Sequence, residues 1–207
     1  MKKLVSIMLT FSLILVSSAL PRPLKSAKRG LGFEVGAGVS NLFWSGYSNI
    51  MTPGGAPVNR TRFTINPNVR INYSVPITEK ALVLPFLGYN KMGGNGDDDK
   101  YTINTIEAGI YALHSFSRLS FGIGGKINSH LNVQYHCEYW RIHEERSEWF
   151  TKVSYGSGAR ITYNIAPITI GLEAWKGLSN LASGPIDTGR TKIRNDQYRL
   201  FIGYTIQ

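Results

Sequence analysis

The sequence holds a single cysteine, Cys137, among its 207 residues. One thiol closes no internal disulfide, so no disulfide framework can hold the fold. Acidic residues are also scarce, 13 Asp and Glu against 23 Lys and Arg, for a formal charge of +10 and a pI near 9.8. After the N-terminal region no segment approaches the roughly eighteen consecutive apolar residues of a membrane-crossing helix, which excludes a helical span from the mature chain. There is no G-x-S-x-G, no phosphate-binding P-loop and no Cys/His zinc spacing, so no standard reaction signature is present. Internal repeats and low-complexity tracts are absent as well.

What is present begins with an export signal. Lys2 and Lys3 precede an apolar run from Leu4 to Val16, interrupted only by Ser6, Thr10 and Ser12. Ser17, Ser18 and Ala19 then supply the small residues that a signal peptidase reads. The run is too short to span a membrane as a helix, and no cysteine follows it to carry a lipid. Residues 1–19 are therefore expected to be a secretory signal peptide, cleaved after Ala19. Residues 20–30, with two prolines and Arg22, Lys25, Lys28 and Arg29, form an N-terminal tail, and residues 31–207 form one domain. In a cytosolic protein the basic charge would suggest nucleic acid. For an exported chain the anionic partners are lipid phosphates and surface polysaccharide.

The mature chain is dominated by a period of two. In residues 62–75, Phe63, Ile65, Pro67, Val69, Ile71, Tyr73 and Val75 alternate with Arg62, Thr64, Asn66, Asn68, Arg70, Asn72 and Ser74. This is a strand with one apolar and one polar face. It is longer than the ~5–6 residues of an ordinary strand and long enough for the ~9–11 of a membrane barrel. The pattern recurs at 33–40, 105–112, 119–127, 152–163, 168–174 and 198–207. A further strand over 82–90 is apolar on both faces and contains Pro85. The total is eight strands, joined by connections that alternate between short (76–81, 114–118, 164–166) and long (42–61, 91–100, the stretch before Trp149, 176–193). Short turns at one end and long loops at the other are expected of an outer-membrane barrel, and an even count puts both termini on the short-turn side.

The polar face is Asn, Thr, Ser, Gly and Arg with few free charges, which suits a crowded lumen better than a solvent-washed surface. Glu34, Glu107 and Glu173 should face inward with Arg62, Arg70, Lys126 and Arg160, and pair across the barrel. Aromatics near the strand ends should form two interfacial girdles. Phe63, Tyr101, Phe150, Tyr198, Trp44, Tyr89 and Trp175 lie toward the long loops, and Tyr73, Tyr163 and Tyr204 toward the short turns, although parity turns Trp44 and Trp175 inward. The fold class is thus all-β: an eight-stranded antiparallel up-and-down transmembrane β-barrel behind an N-terminal signal peptide.

Four stretches resemble the porin-family outer-membrane β-barrel proteins of the Bacteroidota: GFEVGAGVSNL at 32–42, PFLGYNKMGG at 85–94, GSGARITYNIAPITIGLEAWKGLSNL at 156–181 and the closing LFIGYTIQ. The resemblance implies a fold and a location in the bacterial outer membrane, and no shared catalytic residues.

Chemistry-bearing residues are few. His130, His136 and His143 share a region with Glu138, Glu144, Glu145 and Glu148, where a metal site or an acid–base pair is conceivable beside the simpler reading of a solvated loop. Asn95 to Asp99 offers oxygen ligands for a hard cation but lacks the spacing of an EF-hand, so a solvated acidic tip is expected. No catalytic residue, cofactor or metal ligand is assigned. An eight-stranded lumen is filled by side chains, which argues against a diffusion pore. On the long-loop side Arg60, Lys91, Lys100, Arg146, Lys152, Lys176, Arg190, Lys192 and Arg194 could pair with lipopolysaccharide phosphates. The expected role is structural or interactive, with an accessory subunit of a secretion or assembly machine, a loop-side enzyme and a small-solute pore as rivals.

The fifth strand is unusually long. Its alternation continues through Ser129, Leu131, Val133, Tyr135, Cys137 and Tyr139, so residues 128–149 should rise above the membrane as a hairpin with its tip near Glu144 and Glu145 and could dock a partner. Continued in phase, the pattern puts Cys137 on the outer face, on the order of 20 Å beyond the apolar band, open to a membrane-impermeant reagent. A turn at Asn128-Ser129-His130 is the alternative, giving nine strands and a C-terminus on the long-loop side.

Overall fold

The computed structural model describes residues 29–45, 64–95, 99–137, 139, 141–184 and 191–206. Residues 1–19, expected to be a signal peptide, most of the expected tail, Phe63, Arg62 and Arg60 lie outside these, as do Glu138, Trp140, Arg190 and the side chain of Trp44. The strands are β1 (Gly30–Ser45), β2 (Thr64–Pro76), β3 (Ala81–Asn95), β4 (Asp99–Phe116), β5 (Leu119–Cys137), β6 (Ile142–Glu145), β7 (Val153–Ile165), β8 (Ile168–Gly177) and β9 (Lys192–Ile206). All pairings are antiparallel, in the order β4-β3-β2-β1-β9-β8-β7-β5-β6, and pairing of β4 with β5 closes the ring. Eight strands form the barrel, and β6 is a four-residue appendage to the end of β5. The first and last strands meet at Leu31↔Ile206, beside the turns after β2, β4 and β7, so both ends of the barrel lie on the short-turn side as expected.

Every barrel strand presents an apolar outer face. Phe33, Val35, Val69, Ile71, Leu87, Ile110, Ile123, Ile161, Leu172, Leu200 and Ile202 are all exposed, Ile123 by 73%. A belt of this size on a closed barrel is a lipid-facing surface. At ~3.3 Å per residue and a tilt of ~40°, the outward residues from Ile106 to Phe116 rise roughly 25 Å, the height of an outer-membrane apolar band. Closure satisfies the strand hydrogen bonds that lipid cannot. The doubly apolar 82–90 segment is explained too. Leu87 and Tyr89 face out, while Leu84 and Phe86 fill the lumen.

Above the belt the polarity inverts. On β9 the outward residues change from Ile202, Leu200 and Tyr198 to Asp196, Arg194 and Lys192, while Ile193 points inward and is fully buried. Leu42, Met92, Tyr101, Ile103, Val133, Tyr135, Cys137, Phe150, Leu181, Ala182 and Ile193 form an apolar cap over the lumen. The barrel behaves as a membrane protein across the belt and as a soluble barrel beyond it. Tyr101 and Phe150, expected in the outer girdle, belong to this cap, with ring centroids 5.9 Å apart. Tyr89, Tyr198, Tyr73 and Tyr204 are exposed as a girdle requires. Trp175 is turned inward.

The fifth strand is continuous through Asn128-Ser129-His130, which removes the nine-strand alternative for the barrel. Its phase does not continue, however. Thr105 pairs with His130 and Asn104 with Asn132, leaving Leu131 as an extra residue in β5. This bulge shifts the alternation by one. Below it Lys126 and Asn128 face the lumen; above it Val133, Tyr135 and Cys137 do. Cys137 is only 2% exposed, so the expectation of a surface thiol is wrong. The extension does exist, and β4 rises with it to Asp99↔Cys137, but the turn falls between Cys137 and Ile142 rather than near Glu144 and Glu145. The 91–100 loop is also mostly strand, since β3 and β4 pair as far as Asn95↔Lys100.

In the folded protein Cys137 should resist a membrane-impermeant maleimide, whereas a cysteine at position 136 (His136→Cys with Cys137→Ser) should react. Equal labelling of the two proteins would contradict the bulge at Leu131.

Candidate functional site: a closed lumen and its rim

Inward positions on seven strands bring charged side chains to one level. Glu34, Arg70, Glu107, Lys126, Arg160, Glu173 and Arg199 come from β1, β2, β4, β5, β7, β8 and β9, and all are buried. The sequence places the first six there by alternation, together with Arg62. Arg199, on the polar face of the last strand, joins them as a seventh charge that the expected pairing leaves out.

Glu107, with 0% exposure, is the hub. Arg199 grips it with both terminal nitrogens, at 2.6 and 2.7 Å, Arg70 Nη2 approaches at 2.8 Å and Lys126 Nζ at 2.9 Å. Arg160 bridges the other two carboxylates, reaching Glu34 Oε1 at 2.5 Å and Glu173 Oε1 at 2.6 Å. Arg70 Nη1 also contacts Glu173 Oε1 at 2.5 Å. Neutral donors complete the acceptors: Asn72 Nδ2 donates to Glu34 at 2.6 Å and Trp175 Nε1 to Glu173 at 3.0 Å. Gln197 Oε1 accepts from Lys126 at 2.9 Å and from Arg199 at 2.5 Å. Four cations thus share three carboxylates, leaving one net positive charge in the cluster.

Aromatic faces take part of that excess. Phe86, Tyr111 and Trp175 pack with centroids 5.2–6.0 Å apart. The Arg70 guanidinium lies 4.0 Å over Phe86, Lys126 4.7 Å over Trp175, and Arg160 4.1 Å over Phe201. Such contacts are favourable where the cation is desolvated. Glycines on neighbouring strands provide the width. Arg70 is paired with Gly88, Lys126 with Gly109 and Gly156, Arg160 with Gly122 and Arg199 with Gly38. A Cβ on Gly38 would come within 2.7 Å of Arg199 Cγ. Abundant glycine here is space for long side chains.

The histidine–carboxylate group proposed from sequence is divided. His130 lies on the lumen side, where its Nε2 is 2.9 Å from Ser154 Oγ, and Asn128 Nδ2 donates to the same oxygen at 3.2 Å. The cavity beside Ser154 measures only about 10 Å³, room for about one water. His136 and His143 stand apart from it as exposed partners on β5 and β6, Nδ1 to Nδ1 at 3.4 Å. Glu144 and Glu145 are engaged with Arg146 and Ser147, at 2.6 and 2.7 Å. Among the described residues no three His, Cys, Asp or Glu side chains converge as a metal site. At the end of β3, Asn95 Oδ1 accepts from Thr64 Oγ1 at 3.2 Å, and residues 96–98 lie outside the described chain. His114 lies on the short-turn side, its ring 5.6 Å from Phe121.

The basic residues of the long-loop side are also divided. Lys100, Lys152, Lys176, Lys192 and Arg194 are exposed and Lys91 is partly so. Arg146 is committed, paired with Glu144 and stacked 4.0 Å over Trp149.

Replacing Glu107 by Gln leaves three cations with a weakened partner. Losing one side of a buried pair costs ~3–5 kcal/mol. Urea unfolding in lipid vesicles should show a loss of that size for Glu107→Gln and no more than ~0.5 kcal/mol for Lys91→Gln. Equal stability of the two variants would show that the cluster is not a coupled unit.

No family model matches this chain, and no curated protein matches it. Solved structures do. Neisserial surface protein A superposes with a TM-score of 0.54 at 9% identity, over 85% of this chain and 97% of that one. The attachment invasion locus protein of Yersinia pestis, in complex with the heparin analogue sucrose octasulfate, gives a TM-score of 0.50 at 13% identity, over 86% of this chain and 99% of that one. With its closed ring, outward apolar belt and filled polar lumen, this chain has the fold of the small eight-stranded outer-membrane β-barrels.

Proposed function

We propose that the protein is a non-conducting, non-enzymatic barrel of the bacterial outer membrane, with a structural or interaction role carried by its long-loop end. The observation behind this reading is the filled lumen, closed first by the ion–aromatic cluster and again by the apolar cap. A solute would have to break several buried ion pairs to pass. Ser154 lines a space that holds about one water, which argues against a hydrolytic role for the His130–Ser154 pair. The sequence stretches at 32–42, 85–94 and 156–181 support a place among the Bacteroidota porin-family barrels. The N-terminal pattern supports export with cleavage after Ala19.

Two surfaces suit the interaction role. On the outside Lys152, Lys176 and Arg194 stand near the upper edge of the belt, where phosphates of lipopolysaccharide reside, and Lys100 and Lys192 stand higher on β4 and β9. The heparin analogue bound to the Yersinia barrel is a polyanion, a ligand class that such a collar also fits. The 128–149 hairpin is the second surface. β6 stands at the end of the strand order, so its outer edge is open to a partner strand among the described residues, guarded by Glu144 and Glu145.

Planar bilayers containing the purified protein should show no discrete conductance steps. Reproducible openings from the wild type would overturn the closed-barrel reading in favour of a small-solute pore.

A further inference from the structure

We propose that His136 and His143 form a surface binding site for a borderline divalent cation of the zinc type, which clips β6 to β5. The two residues are direct register partners across the hairpin. Both are exposed, and their Nδ1 atoms lie 3.4 Å apart with ring planes at 65°. Two imidazole nitrogens, each ~2.1 Å from one ion and at a tetrahedral angle, stand about 3.4 Å apart, so the pair is already at the bite of a bound ion. Imidazole ligands select zinc, copper(II) or nickel(II) over calcium or magnesium.

The hairpin holds this geometry. Tyr135 and Cys137 flank His136 in β5 and are anchored in the apolar cap, while Ile142 beside His143 packs against the same cap. Inward anchoring of these neighbours fixes both imidazoles outward. Arg141 takes a positive φ of 52° at the turn, which brings β6 back in register. The facing charges are mixed. Lys100 pairs with His136 from β4, and Glu145 follows His143 on the same face of β6, held by Ser147 Oγ at 2.7 Å. Two protein nitrogens leave the remaining positions to water or to a side chain of a docking partner. The ion would then join the hairpin to that partner, although the site does not depend on whether the barrel conducts. Without the ion, the Nδ1–H of one neutral ring can donate to Nδ1 of the other, and the metal would replace that proton.

The experiment uses full-length mature protein without a polyhistidine tag, folded in detergent micelles and titrated with zinc against a chromophoric chelator. The wild type should take up one equivalent. His136→Ala and His143→Ala should each weaken uptake at least ~tenfold, and the double variant should abolish it, with gel mobility of the unboiled protein unchanged. His130→Ala should bind as the wild type does. Failure of the wild type to compete, or undiminished binding by His136→Ala and His143→Ala, would overturn the site.

Discussion

Four cations, three carboxylates and a group of aromatic rings occupy the centre of this barrel, and the rest of the structure depends on keeping them paired. A charge withdrawn from water is costly unless its partners are close and well oriented. Here the partners come from seven different strands, so the ring must be closed and in register before any of them is satisfied. Lumen chemistry and barrel closure are therefore one problem. Glycines beside the long side chains give the charges their width, and the aromatic faces of Phe86, Trp175 and Phe201 accept guanidinium and ammonium surfaces that carboxylates leave over.

A second constraint acts along the barrel axis. Lipid demands apolar residues outside, whereas water beyond the membrane demands the reverse. The chain meets both by exchanging faces at the rim. On β9 the exchange is made in the sequence, with Ile193 inward and Lys192 and Arg194 outward. On β5 it is made by geometry, through the extra residue Leu131. The result is a barrel whose upper storey has an apolar interior of its own, and it is this cap that orients the β5–β6 hairpin.

Much of this was legible in the sequence. Strict alternation located the strands, assigned Arg70, Glu107 and Arg160 to the lumen, and turned Trp175 inward against the girdle reading. The misses have specific causes. A bulge adds one residue without a compositional mark, so unbroken alternation puts Val133, Tyr135 and Cys137 on the wrong face. Tyr101 and Phe150 looked like girdle residues because aromatics at strand ends serve lipid interfaces and apolar caps alike. Phe201 interrupts a polar face and could have signalled a lumen filler. The histidine pair was invisible because the sequence lists three histidines and four glutamates in one region without saying which lie across a turn from each other.

The central claim is that the luminal guanidinium groups are locked to carboxylates and shielded from water. The most direct measurement is nuclear magnetic resonance of the arginine side chains in micelles at neutral pH. The account requires slowly exchanging terminal NH signals from Arg70, Arg160 and Arg199, lost for Arg199 when Glu107 is replaced by Gln. Exchange as rapid as that of the exposed Arg194 would contradict it and show that solvent fills the lumen.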